Sequence, residues 1–409
     1  MSISAYRKTE SDGSGGDFTS SPFVKQGYAR RNRQLSQELR VHREGTRGDW
    51  VLGLYAFGYD EERVDFFGFT ELTPADTFFP GQPELPAGYQ EQSIPDIEAR
   101  SASLFSDGTL RVGERWELTA GLRVSWDRRW IRYDHAGTLP GFSFFAPTLR
   151  FTDSFEETTV TPRVAVRYAA NDALSLYATI ARGQKAAGFN PSFAFSSDLL
   201  YDKESAWSYE IGAKGMALDG AIDFALSAFY FDWRDKQAYY YNGFFVTIQN
   251  APKARSYGAE LELAWRASER LSIGAQLGWL RANFVRFENA GDSSTGSPVD
   301  ASGFRLPLAP RFSGNVFAEY VLPLPREISL RGRLAYDFRS SFTFDVLERS
   351  RTEAVGLLGA TLALERGRFE LSFAAENLVD ERYLAYAYST DRGLPAEPRT
   401  FRGSLRVRF

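Results

Sequence analysis

The densest stacking chemistry in this chain is the run Tyr239-Tyr-Tyr-Asn-Gly-Phe-Phe245, where Tyr239, Tyr240, Tyr241, Phe244 and Phe245 crowd their rings into one long connection. Adjacent rings present flat apolar faces and phenol hydroxyls, a surface suited to a catecholate, a porphyrin or a sugar. The competing expectation, which we favour, is a tall hairpin whose rings pack on one another. A second group is cationic: Arg123, Arg163, Arg167, Arg331, Arg333, Arg402, Arg406 and Arg408 all fall on the polar phase of alternating segments. Such guanidiniums either meet an anion or pair with Glu117, Glu260, Glu262, Asp337 and Glu370 on neighbouring segments, and pairing is the expectation. The cluster Asp60-Glu-Glu-Arg63 is expected to be solvated on another long connection.

Reaction chemistry is missing. The chain has no cysteine, which removes thiolate nucleophiles, zinc-thiolate sites and disulfides. Its two histidines, His42 and His135, are far apart in sequence and read as ordinary strand-end or loop residues. No Ser/His/Asp set, phosphate-binding glycine loop or pair of carboxylates in a shared apolar pocket emerges. The expectation is a non-enzymatic protein without catalytic residues, resident metal or cofactor. A net charge of -4 with a pI near 5.6 gives no footing to nucleic-acid binding.

What must position these residues is visible in the last strand. Phe401, Gly403, Leu405, Val407 and Phe409 alternate with Arg402, Ser404, Arg406 and Arg408. Side chains alternate faces along a strand, so one face is apolar and the other cationic. A barrel in a membrane supplies both environments, lipid outside and a polar lumen inside. The same alternation recurs from Trp116 to Trp126, where the two tryptophans close an apolar stripe of Leu118, Ala120, Leu122 and Val124. It recurs again at Tyr257 to Trp265, Leu271 to Trp279 and Ile328 to Phe338. An aromatic content of 15% with a mean hydropathy of -0.33 suits aromatic girdles and polar loops. No apolar run approaches the roughly 18 residues of a membrane helix.

Counting such segments predicts about 16 strands, centred near Ala5, Glu38, Leu54, Ala102, Val124, Val164, Leu176, Gly212, Leu226, Leu261, Leu277, Val316, Leu334, Gly359, Phe373 and Leu405. Short connections fall near Glu44-Gly45, Asp107-Gly108, Asn171-Asp172, Asp219-Gly220, Ala267-Ser268, Pro323-Leu-Pro325 and Arg366-Gly367. Long ones run over 9–33, 60–95, 134–156, 185–202, 234–253, 286–304, 341–351 and 381–400. Sorting of short turns to one side and long loops to the other predicts an all-β fold, an antiparallel transmembrane β-barrel with short periplasmic turns and long extracellular loops. One repeating unit over residues 1–409 predicts a single domain. Met1-Ser-Ile-Ser-Ala-Tyr-Arg7 does not read as a secretory signal, so a start upstream of Met1 is expected.

Several segments resemble the TonB-dependent outer-membrane receptors. Ala181-Arg-Gly-Gln-Lys-Ala-Ala-Gly-Phe-Asn190 is similar to that family's strand-end motif, with Gln184 in place of the usual aromatic and Ala187 in place of the first glycine. Glu204 with Ser208-Tyr-Glu-Ile-Gly-Ala-Lys214, and Asn250-Ala-Pro-Lys-Ala-Arg-Ser-Tyr-Gly-Ala-Glu-Leu-Glu-Leu263, resemble the next two blocks. Leu306-Pro-Leu-Ala-Pro-Arg-Phe-Ser-Gly-Asn315, Glu376-Asn-Leu-Val-Asp-Glu-Arg-Tyr383 and the terminal Phe409 resemble the last ones. The resemblance implies a bacterial outer-membrane receptor for energised uptake of a ferric siderophore or similar bulky nutrient. It implies a barrel of about 22 strands around a plug. The expectation for this chain is the C-terminal portion of that barrel, without the plug and first strands. It implies loop aromatics at the ligand, lumen arginines facing plug or substrate, and Phe401, Leu405, Val407 and Phe409 as the signal for the outer-membrane assembly machinery. Partners would be outer-membrane lipid, that machinery, an iron complex or other small nutrient, and the TonB energising complex if a plug and coupling box lie upstream. A passive porin-like channel and an inactive barrel fragment remain alternatives.

Overall fold

The computed structural model describes residues 1–16, 23–70, 89–138, 149–190, 192–193, 199–241, 246–292, 297–387 and 393–408. Among these, the strands in chain order are β1 (Ser2–Gly16), β2 (Val24–Arg43), β3 (Gly48–Phe69), β4 (Gln90–Val112), β5 (Trp116–Gly137), β6 (Leu149–Asn171) and β7 (Leu174–Lys185). There follow β8 (Gly188–Phe189), β9 (Leu200–Tyr201), β10 (Glu204–Ala217), β11 (Ile222–Tyr241), β12 (Val246–Arg266), β13 (Leu271–Arg286) and β14 (Phe312–Leu324). The last are β15 (Ile328–Arg339), β16 (Val355–Arg366), β17 (Phe369–Glu376), β18 (Leu384–Ala387), β19 (Gly393–Pro395) and β20 (Thr400–Val407).

Sixteen of them form one antiparallel sheet in sequential order, β1 to β7, then β10 to β17, then β20. Each of the expected strand centres lies in one of these sixteen. The pairs β8–β9 and β18–β19 are small hairpins within long connections and were not expected.

The register confirms which phase faces out. Leu54 pairs with Leu104, Leu104 with Val124 and Val124 with Val160, one continuous apolar row across four strands. Large apolar side chains on this face are open, with Leu54 55%, Ile211 63% and Phe373 60% exposed. A water-soluble sheet buries such residues, so their contiguous exposure marks a lipid-contacting wall. On the other face the row Tyr55, Ser103 and Ser125 is polar and aromatic, as a lumen requires.

Two expectations about the connections are corrected. Many of the strands, β2 to β6 and β11 to β12 above all, run far beyond the roughly 9–11 residues that cross a bilayer. β3 reaches Phe69, β5 reaches Gly137 and β11 reaches Tyr241, so much of what reads as loop is tall ladder above the membrane. The reason is that the inward phase turns apolar there: Phe67, Phe69, Ile131 and Tyr133 are buried and give the extended hairpins a core of their own. The second correction is the Asp107-Gly108 turn, which lies inside β4; the chain turns instead at 113–115, where Gly113 takes φ 63°, a left-handed conformation that favours glycine.

Above Trp126 the outward phase changes character within two residues. Arg128 meets Glu156 at 3.5 Å and Arg100 meets Asp60 at 2.7 Å, while Arg132 pairs with Asp96 and Arg150 with Asp134. Lipid therefore ends between Trp126 and Arg128 on β5. Leu122 lies midway between the girdle tryptophans, so Leu122→Arg should lower unfolding free energy by roughly 2–4 kcal/mol. Ser101→Arg, on the lumen face opposite Asp127, should stay within about 0.5 kcal/mol of wild type. Urea titration of the protein refolded into lipid vesicles measures both, and equal losses would mean the faces are wrongly assigned.

Candidate functional site

The extracellular mouth is built from the inward faces of β2 to β6 and of β11 to β13, with the connection between β7 and β10 folded across them. Phe189 and Leu199 of that connection pack with Ile131 and Tyr133, flanked by Ile97, Phe151 and Phe155. Phe193 packs with Val24, Phe67, Phe69 and Tyr89. The Phe193 ring also stands nearly perpendicular to the His135 ring, their centres 5.5 Å apart. These contacts bury apolar surface that the tall strands would otherwise expose to water, at about 25 cal/mol for each Å².

Polar tethers fix the same connection. Ser192 donates to Asp65 at 2.8 Å and accepts from Arg63 at 2.9 Å, which itself donates to Asp65 at 2.8 Å. Burial raises the Asp65 carboxyl above its ordinary range, with Arg63 and Ser192 opposing that rise. The Asn190 amide donates to the Ile248 carbonyl at 2.9 Å and accepts from the Ile248 amide at 2.8 Å, a side chain acting as a strand partner for β12. Glu157 accepts from the Ala187 amide at 3.3 Å and Gln184 at 3.3 Å, and its carboxylate lies 3.2 Å from Lys203.

On the next strands, Glu204 accepts from the Gln237 amide at 2.7 Å, and the Gln237 side chain donates to the carbonyls of Ala186 and Asp202. Asn250 donates to the carbonyls of Asp202 and Asp235 and accepts from the Asp202 amide. The Asn190, Glu204 and Asn250 positions of the motif blocks thus hold a long connection to the wall. Sequence reasoning placed them in motifs without a role; their signal was polar type at strand ends, and their partners are too distant in sequence to be foreseen.

The tyrosine run divides. Tyr239 is 63% exposed, with the Lys185 ammonium 5.7 Å from its ring centre. Tyr240 lies against Gly291 of the connection between β13 and β14, so it serves packing. Tyr241 ends β11, and Phe244 and Phe245 lie outside the described residues. Beside them, Lys236 stands 4.2 Å above the Trp233 ring and 3.8 Å from Glu204, and burial lowers its pKa from the ordinary lysine value. The open Tyr239 ring with the Lys185 ammonium beside it forms a surface for a ligand that has both π-faces and negative charge.

The Asp60–Arg63 cluster is not uniformly solvated. Asp60 and Glu62 point out, whereas Glu61 is 5% exposed and accepts from Arg30 at 2.9 Å, and Arg63 points in.

All eight arginines singled out fall on the lumen face by register. Arg167 meets Glu117 at 3.0 Å, Arg333 meets Glu319 at 3.9 Å, and Arg331 pairs with Glu365. Arg402 meets Glu376 at 3.6 Å, and Arg406 and Arg408 share Glu370 at 3.4 and 3.3 Å. Arg123 instead donates to Ser103 at 2.7 Å and lies between the Tyr55 and Phe105 rings. Arg163 has no ion pair among the described residues, nor do Glu260 and Glu262, and Asp337 accepts from Asn315 at 2.7 Å. Phe401 and Leu405 face outward, 73% and 68% exposed, with Val407 in the same phase; Phe409 lies outside the described residues.

Comparison with known proteins agrees with this architecture. Residues 2–378 match the family described as TonB dependent receptor-like, beta-barrel. The pesticin receptor of Yersinia enterocolitica is 27% identical over 317 residues, covering 75% of this chain and 44% of that protein. The metal-pseudopaline receptor CntO of Pseudomonas aeruginosa is 24% identical over 352 residues, 80% of this chain and 43% of its own length. The crystal structure of the ferric yersiniabactin uptake receptor FyuA from Yersinia pestis superposes with a TM-score of 0.81 at 22% identity, covering 100% of this chain and 58% of that one. The chain thus spans about half the length of the curated relatives it matches.

The tethers make a local prediction. Asn190→Ala leaves the Ile248 amide and carbonyl without their partner at a cost of about 1–3 kcal/mol. Hydrogen exchange at the Ile248 amide should quicken by about tenfold or more, 1.4 kcal/mol being one factor of ten, and proteolysis of residues 186–203 should accelerate. Unchanged exchange would show that the amide bridge does not hold the connection.

Proposed function

The chain belongs to the TonB-dependent receptor family, non-enzymatic proteins of the bacterial outer membrane, and we propose that residues 1–409 act as one barrel domain in energised uptake of a ferric siderophore. The observation that carries this reading is the open Tyr239 ring beside the Lys185 ammonium at the mouth, with Lys236 over the half-buried Trp233 ring nearby. A ferric catecholate or phenolate chelate combines aromatic arms with negative charge, so it gains stacking and Coulomb attraction at one place. The names of the relatives support the same class, since they include receptors for ferric yersiniabactin and metal-pseudopaline.

In this reading the tethered connection between β7 and β10 narrows the mouth, and a chelate is held there before transfer. Energy for transfer would come from the TonB complex acting on a plug in the whole protein. The paired lumen arginines keep their charges compensated on the wall, and Arg163, without an ion pair among the described residues, is a lumen cation available to meet a plug or the anionic cargo.

Cells expressing the full protein should accumulate radioactive iron from a ferric catecholate or phenolate chelate, and an uncoupler of the inner membrane should abolish it. Lys236→Met and Tyr239→Ala should each weaken chelate binding by about tenfold, equivalent to about 1.4 kcal/mol. Uptake that persists under the uncoupler would point to a passive pore, and absence of binding to both chelates would remove the siderophore reading.

A further inference from the structure

Outside the mouth, a groove is built into the lipid-facing wall. It occupies about 890 Å³ beside the turn between β2 and β3. Its long axis follows a single register row, Trp50 to Gly108 to Ala120 to Val164 to Ile180, across β3, β4, β5, β6 and β7. All five point outward. Gly108 and Ala120 are small and directly opposed, which sinks the floor between Trp50 and Val164. The neighbouring row places Leu110 opposite Leu118 as a raised apolar edge.

The row is oblique to the membrane because barrel strands tilt by about 35–45°. Its β3 end, Trp50, lies next to the periplasmic turn, whereas Ala120 and then Ile180 stand progressively further from the periplasmic turns of their own strands. The groove therefore starts at headgroup level and climbs into hydrocarbon, the path of a lipid with its head at the turn and a chain along the floor.

The head end is cationic and uncompensated. Arg43 is directly opposite Trp50 on the outward face, and Arg47 lies in the turn; both line the groove. Neither meets a carboxylate among the described residues. Of the nearby acids, Asp49 pairs with Arg111, and Glu44 lies exposed 3.8 Å from His42. At the opposite end of the wall, by contrast, Arg31, Arg100, Arg128 and Arg132 each meet a carboxylate.

We propose that this groove binds an anionic phospholipid of the periplasmic leaflet, its phosphate on Arg43 and Arg47 and one acyl chain on the Gly108–Ala120 floor. Phosphatidylglycerol fits, since its head carries one negative charge and a neutral glycerol. Phosphatidylethanolamine brings an ammonium against two guanidiniums and is disfavoured. The site is independent of the transported cargo.

Native mass spectrometry of the full protein, extracted from outer membranes and equilibrated with equal phosphatidylglycerol and phosphatidylethanolamine in mixed micelles, tests this. The expected result is one retained phosphatidylglycerol, favoured by about tenfold, the ratio read as 1.4 kcal/mol. Arg43→Ala with Arg47→Ala should abolish the preference. Ala120→Phe, which fills the floor and leaves the cations in place, should also expel the lipid while heat-modifiable gel migration confirms folding. Equal retention of the two lipids by wild type, or undiminished phosphatidylglycerol in either variant, overturns the proposal.

Discussion

Everything in this molecule follows from the impossibility of leaving a peptide group unbonded in hydrocarbon. Each unsatisfied amide or carbonyl there costs several kcal/mol, so a chain that crosses with strands must pair every strand along its full crossing. That requirement gives the sequential antiparallel order of the sixteen-stranded sheet, in which each strand between the edge strands β1 and β20 is paired on both sides, and with it the strict two-residue period. Once the period is set, each residue type has only two addresses, lipid or lumen. The alternation of Trp116 to Trp126 with Glu117 to Asp127 is the record of that choice.

This is why the wall was legible in the sequence and the mouth was not. Within the bilayer, solvent on each side is uniform, so Leu122 or Arg123 declares its face without reference to any distant residue. Above Trp126 water lies on both sides, and the outward phase no longer has to be apolar. There the inward phase depends on what the chain folds against it. Ser192 finds Asp65, and Asn190 finds Ile248, across separations that no local pattern encodes. The same loss of constraint explains the misplaced turn: Asp107-Gly108 carries turn chemistry, yet pairing of Gly108 with both Trp50 and Ala120 continues β4 through it. Strand pairing on both sides outweighed local propensity.

The two faces of the tall hairpins use charge differently. Outward pairs such as Arg100–Asp60 and Arg128–Glu156 are exposed, and each is worth about 0–1 kcal/mol. They make the upper wall soluble more than they make it stable. Inward groups such as Glu61 and Asp65 are buried, and losing a partner there leaves a desolvated carboxylate. Such groups set the position of the connection they touch, because only one arrangement satisfies them. The chain thus spends its polar specificity on placing the segment between β7 and β10, which holds the motif residue Asn190 and ends at Glu204, the first residue of β10.

A receptor mouth needs this division. A cargo that must enter and leave cannot be held by a rigid, fully apolar cavity, and a connection held only by apolar contacts would have no unique position. The described mouth combines aromatic clusters that exclude water with a few directional tethers that fix geometry, and it leaves Tyr239 and its neighbouring ammonium open. The open pair then costs little to keep exposed, since the phenol and the lysine remain hydrated until a ligand displaces that water. Stability of the wall comes from the lipid-facing rows and the ladder. Selectivity is consequently free to vary in the mouth, without disturbing the strand pairing that the membrane enforces.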